Sequence, residues 1–166
     1  MLQIDIPSRG KLELAHLVLD LNGTIALDGE VLPGVAERLG TLAESLIIHL
    51  VTADTHGKAA AIASQLGRGA PGAQHAAPLL ARIGPGDEVE QKRTLVQRLG
   101  AERVVVVGNG ANDEAMLQAA ALGIAVLGPE GLAMEALHSA DVVVASIEDA
   151  LDLLLHPKRL VATLRR

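Results

Sequence analysis

Three groups of polar side chains and one lysine stand where chemistry could be done. Asp20, Asn22 and Thr24 follow the apolar run Leu17-Val18-Leu19, and Thr52 and Asp54 follow the run from Leu46 to Val51. Asn109, Asn112 and Asp113 follow Val104-Val105-Val106-Val107, and Lys92 lies between the last two groups. Carboxylates, hydroxyls and an ammonium gathered in one place suit a phosphoryl group and a Mg²⁺ ion. The metal takes hard oxygen ligands, usually one or two protein carboxylates together with phosphate and water. The lysine and loop amides offset the charge of the phosphoryl oxygens. An Asp in that setting can act as a nucleophile and form an aspartyl-phosphate.

These residues come together only if the runs that precede them are strands of one sheet. The runs are continuous in Val, Ile and Leu, as expected of strands buried on both faces, and they alternate with helical stretches. The spacing predicts helices from Pro33-Gly34 to about Ser45, Lys58 to Leu66, Asp87 to about Leu99, Glu114 to Ala121 and Gly131 to Ser139. A last helix, broken at Pro157, reaches Arg166. Further strands are expected at Gly123 to Leu127 and Asp141 to Ala145, with a short one around His75 to Leu79. At the start, Leu2, Ile4 and Ile6 alternate with polar residues, and Lys11 to Leu14 alternate again after a Ser8-Arg9-Gly10 turn. That pattern predicts an antiparallel hairpin at the edge of the sheet. The fold class is α/β: a three-layer, Rossmann-like, doubly wound and mainly parallel sheet with an N-terminal β-hairpin. Such sheets bind ligands outside the carboxyl ends of their strands, which is where the three polar groups fall.

Composition narrows the function. The 166 residues are read as a single domain, 1–166, and nearly half are apolar. There is no Phe, Tyr, Trp or Cys, and the formal net charge is −6. The core must be built from aliphatic side chains, and thiol or zinc-thiolate chemistry is excluded. Without stacking rings or a basic surface, nucleic acid is not expected as a partner. No apolar run reaches membrane-spanning length and the first residues do not form a secretory signal, so a soluble, cytoplasmic protein is expected.

In order and chemistry the four groups resemble the motifs of the haloacid dehalogenase superfamily, most of whose members are Mg²⁺-dependent phosphohydrolases. The first motif, Asp-x-Asp-Gly-Thr, matches Asp20 to Thr24 with one change. The second matches Thr52, the third Lys92, and the fourth, Gly-Asp-Gly-x-Asn-Asp, matches Gly108 to Asp113 with one change. The resemblance implies Asp20 as nucleophile and Thr52 and Lys92 as phosphoryl ligands, with phosphate or loop contacts from Thr24, Ala53 and Asn112. It also implies Mg²⁺ held by Asp20, the Asn22 carbonyl, Asn109 and Asp113. About 30 residues separate Asp20 from Thr52 and about 40 separate Thr52 from Lys92, which leaves no room for a cap domain. The second and fourth motifs look most like those of P-type ATPase phosphorylation domains and of their soluble, capless relatives.

Two departures from the pattern matter. Asn22 stands where the superfamily's phosphatases carry the Asp that protonates the leaving group and then deprotonates water. An amide cannot do this, and such catalysis is worth roughly 10²–10⁴-fold. Asn109 replaces a carboxylate that usually binds the metal. The expected function is therefore phosphoryl transfer to Asp20 with slow turnover of a phosphorylated small molecule or macromolecule, the open site being covered by the substrate or by a second copy of the chain. The alternative is a catalytically impaired phosphate-binding or regulatory scaffold module. Both changes lie in Asn-Gly pairs, so slow deamidation could regenerate carboxylates at Asn22 and Asn109. Asp54 is read as a cap for a helix starting at Thr55, His49 as structural and His56 as a solvated loop residue.

Overall fold

The computed structural model describes residues 1–54, 57–67 and 77–166. Strands β1 (Leu2–Ile6) and β2 (Gly10–Leu14) lead into β3 (His16–Asp20), and the two-residue strands β4 (Ala26–Leu27) and β5 (Glu30–Val31) form a small hairpin before α1 (Val35–Leu42). There follow β6 (Ile47–Thr52), α2 (Ala59–Gly67), β7 (Leu79–Arg82) and α3 (Glu88–Arg98). The chain continues through β8 (Val104–Gly108), α4 (Glu114–Ala119), β9 (Leu122–Val126), α5 (Met134–Ser139) and β10 (Val142–Val144), and finishes with α6 (Ile147–Leu155) and α7 (Pro157–Leu164). Between Asp20 and α1 the described chain contains only the β4–β5 hairpin.

Six strands form one sheet in the order β10-β9-β8-β3-β6-β7, with every pair parallel. The apolar runs explain the centre: Leu17, Val18 and Leu19 of β3 and Val104 to Val107 of β8 are fully buried. Alternate side chains face opposite layers, as strand geometry requires. Leu17 and Leu19 pack with Leu39 of α1, Ile62 of α2 and Leu151 of α6, whereas Val18 packs with Val96 of α3 and Met116 of α4. The register pairs Asp20 with Val51 and Leu19 with Val107, so Asp20, Thr52 and the residues after Gly108 reach the same edge.

Several boundaries differ from the sequence expectation. The N-terminal hairpin pairs only with itself, Leu2 opposite Leu14 and Ile6 opposite Gly10, and is a separate sheet rather than an edge of the main one. Its apolar face, Ile4, Ile6 and Leu14, is buried in the core layer that holds Leu17 and Leu160 instead. The strand expected around His75 falls partly outside the described residues. The observed β7 starts at Leu79, and its register against β6 places Arg82 beside Thr52. Helix α5 begins three residues late because the Gly131 backbone is left-handed and the Ala133 N–H bonds to the Asn109 carbonyl.

His16 of β3 and the buried His49 of β6 form a part-buried pair on adjacent strands, Nδ1 to Nε2 3.0 Å apart. One ring must donate and the other accept, so the two cannot both be charged. Burial, and then the neighbouring His16, push His49 down to about 4 from an ordinary 6.5. Between those values the unfolded chain binds a proton that the folded chain refuses. The contribution to stability is complete above pH 6.5 and is lost as pH falls towards 4. A series of urea midpoints from pH 7 to 4.5 should fall less steeply for His49→Leu than for wild type; identical slopes would contradict this assignment.

Candidate active site

The site is built around a buried ammonium. Lys92 reaches from α3, whose first turn is capped by Asp87 accepting from the Glu90 N–H, and it is 2% exposed. Its Nζ donates to Asp20 Oδ1 at 2.8 Å and to Asp113 Oδ1 at 2.7 Å. Asp113 in turn accepts the Asn109 and Gly110 N–H groups on Oδ2, both at 2.9 Å. Gly108 is required for this arrangement: a Cβ there would stand 2.7 Å from the Asp113 carboxyl carbon. Two carboxylates share one ammonium, so with both ionised the cluster would carry one surplus negative charge. Burial first, and then the Asp113 charge, raise Asp20 to about 7, while Lys92 opposes the rise. Burial disfavours the charged lysine, yet Asp20 and Asp113 together outweigh it and raise Lys92 above its ordinary value.

Asp20, Asn22, Thr52, Ala53, Lys92, Asn109 and Asn112 line one pocket of about 250 Å³, together with Glu88 and Glu130. The Thr52 hydroxyl accepts the Asp54 N–H at 2.9 Å. Among the described residues its own proton has no protein acceptor, so it can donate to an anion in the pocket. Asp54 has a left-handed backbone and Oδ1 accepts the Ala59 N–H, so it caps α2 from further away than expected. Thr55 and His56 lie outside the described residues. Asn112 donates to Glu88 Oε2 at 2.8 Å, which turns its amide towards α3.

Two residues take up positions that the motif pattern did not suggest. Thr24 is fully buried and does not line the pocket; the tight turn after Asn22 directs its hydroxyl to Asn109 Oδ1 at 3.1 Å. It orients a neighbour and is not placed to contact phosphate. Asp113 is 0% exposed and its oxygens are taken up by Lys92 and two backbone amides. It anchors the lysine and the loop and does not present an oxygen to the pocket as the expected metal ligand would. Asn109 donates from Nδ2 to the Gly131 carbonyl at 3.2 Å, a bond no aspartate could make. Among the described residues no three His, Asp or Glu side chains are disposed to enclose a metal ion. Asp20, Asn22 and Asn109 line the pocket and carry hard oxygen donors, although Asn109 Oδ1 already accepts from Thr24. They fit a Mg²⁺ ion whose shell is completed by phosphate and water.

The six-stranded parallel sheet with helices packed on it and a buried Asp-Lys-Asp cluster at its carboxyl edge defines a doubly wound α/β protein. The haloacid dehalogenase-like hydrolase family matches residues 3–121, and the chain belongs to that family. Uncharacterized protein MJ0073 of Methanocaldococcus jannaschii is 44% identical over 84 residues, 48% of this chain and 90% of that one. The Moraxella catarrhalis 3-deoxy-D-manno-octulosonate 8-phosphate phosphatase, in complex with magnesium, phosphate and the sugar acid, is 17% identical with a TM-score of 0.60, covering 92% of this chain and 94% of that one. The catalytic domain of the CPx-ATPase CopB-B is 22% identical with a TM-score of 0.55, covering 75% and 46%. At these identities the two structures establish the fold.

Removing the ammonium leaves two buried carboxylates without a counter-charge. Lys92→Met should cost about 3–5 kcal/mol in urea unfolding, and Asp20→Asn clearly less, because Lys92 keeps Asp113; equal losses would contradict the bridging role. Deamidation requires the backbone nitrogen of the following glycine to reach the asparagine side chain. Gly23 N donates to the Ala26 carbonyl at 2.8 Å and Gly110 N donates to Asp113 Oδ2 at 2.9 Å, so the fold holds both nitrogens away from that reaction. The structure thus argues against regenerated carboxylates. Peptide mapping should find Asn22 and Asn109 intact in folded protein over a time in which urea-unfolded protein converts; equal rates would contradict the protection.

Proposed function

We propose that this protein is a Mg²⁺-dependent phosphohydrolase that takes a phosphoryl group onto Asp20 and releases it slowly. The observation that supports this reading most is the Asp20–Lys92–Asp113 cluster opening onto the same pocket as Thr52. Asp20 Oδ1 is held by the lysine, which fixes the carboxylate against the pocket wall; the Thr52 hydroxyl and the Lys92 charge receive the phosphoryl oxygens. A Mg²⁺ ion held by Asp20, the Asn22 main-chain carbonyl and Asn109 would polarise the phosphoryl group. With Asn109 uncharged and Asp113 committed to Lys92, such an ion would be held weakly and would depend on the substrate's own oxygens.

The substrate class is a phosphorylated small molecule or macromolecule. The pocket lies open at the sheet edge, and the substrate itself or a second copy of the chain serves as its cover. The phosphatase of Moraxella catarrhalis supports the hydrolytic reading and the metal by its fold and its bound magnesium and phosphate. Among the described residues no helix is long and apolar enough to cross a membrane. The proposed location is the cytoplasm. One observation favours a second reading, phosphate binding without turnover: the Asn109 amide is spent on Thr24 and Gly131 and adds no charge.

Incubation with acetyl phosphate and Mg²⁺ should add one phosphate to wild type, seen by intact mass, and none to Asp20→Asn. Asn22→Asp should shorten the lifetime of the adduct, by at most about 10²–10⁴-fold. Phosphate binding with no adduct on wild type would select the second reading.

A further inference from the structure

Glu130 belongs to none of the four motifs, yet its side chain lines the same pocket as Asp20 and Asn22. It lies in the loop between β9 and α5, the next strand of the sheet after β8, so its loop reaches the same edge. That loop is tied down: Gly128 N bonds to the Ala145 carbonyl, Ala133 N to the Asn109 carbonyl, and the Gly131 carbonyl accepts from Asn109 Nδ2. Gly128 also packs so closely on the Gly23 carbonyl that a Cβ would stand 3.1 Å from it. From this support the Glu130 side chain folds over Gly23. Its carboxyl carbon lies 3.0 Å from where a Gly23 Cβ would be, beside the residue whose amide replaces the acid–base group.

The other carboxylates of the pocket are committed. Asp20 is bonded to Lys92, and Glu88 accepts from Asn112. Glu130 has no hydrogen bond or ion pair among the described residues. We propose that Glu130 is the general acid–base group of this site, carrying the proton that Asn22 cannot. The proposal rests on the reading that Asp20 captures the phosphoryl group. In the first step an Asp20 oxygen bonds to phosphorus, the bond from phosphorus to the ester oxygen breaks, and the Glu130 carboxyl gives its proton to that leaving oxygen. In the second step a water oxygen bonds to phosphorus and Glu130 takes a proton from that water. The bond between phosphorus and Asp20 breaks, which releases inorganic phosphate and restores both carboxyl groups. Glu130 is exposed and reaches in from a loop, so it replaces only part of the acceleration that a carboxyl on residue 22 would give.

Acetyl phosphate separates the two steps, because acetate leaves without needing a proton. The test compares Glu130→Gln and Glu130→Asp with wild type: adduct yield from acetyl phosphate, adduct lifetime after its removal, and Mg²⁺ binding by calorimetry. Glu130 is exposed, so the variants fold. Glu130→Gln should form the adduct in full and bind Mg²⁺ as wild type does, and should hold the phosphate on the order of 10²-fold longer. Glu130→Asp, which keeps the carboxyl, should fall between the two. An unchanged lifetime in Glu130→Gln overturns this inference alone. Loss of Mg²⁺ binding or of the adduct itself overturns it by making Glu130 a ligand. Absence of an adduct on wild type overturns the phosphoryl-capture reading and this inference with it.

Discussion

The Lys92 ammonium, buried between Asp20 and Asp113, is the interaction on which the rest of the site depends. Three separate parts of the chain meet at it: the end of β3, the first turns of α3 and the loop after β8. Moving charges out of water is costly, and a buried pair is tolerated only with good geometry and further hydrogen bonds. Both conditions are met here: the lysine bonds are 2.8 and 2.7 Å long, and Asp113 takes two backbone amides besides. The constraint passes outward from there. Asp113 can tuck under the strand end only because residue 108 is glycine, and its grip on the Asn109 and Gly110 amides shapes the loop that carries Asn109 and Asn112.

The surplus negative charge of that cluster has a chemical consequence. A carboxylate raised to about 7 by burial and a like-charged neighbour depends on the cation beside it to stay ionised. Lysine supplies one such cation permanently, and on the proposed reading a metal would add a second. The asparagines fit this balance. An aspartate at 109 would add another buried charge and break the bond to the Gly131 carbonyl, so the amide secures the loop that carries Glu130.

Much of this was legible in the sequence. Strands of continuous Val, Ile and Leu located the sheet, and the polar residues that end them located its functional edge, because parallel topology brings strand ends together. Register and side-chain direction were not legible. Thr24 follows a turn whose geometry sends its hydroxyl inward to Asn109, and nothing local distinguishes that from a hydroxyl facing phosphate. Asp113 reads as a ligand from its motif, whereas its burial is a property of the packed loop. The edge strand β7 is half exposed and carries a weak pattern, so the sequence does not mark its span from Leu79 to Arg82. Glu130 has no motif, but a signal was present: Gly128-Pro129-Glu130-Gly131 follows a buried strand of the same parallel sheet, and its loop therefore had to fall at the same edge.

The central claim is that Asp20 forms a bond to phosphorus. Hydride reduction during incubation with acetyl phosphate and Mg²⁺, followed by peptide sequencing, tests it most directly, because borohydride converts an acyl phosphate to an alcohol and marks the residue. The account predicts homoserine at position 20 and aspartate at every other position. Homoserine at another residue, or intact Asp20 in protein that releases phosphate, would contradict it.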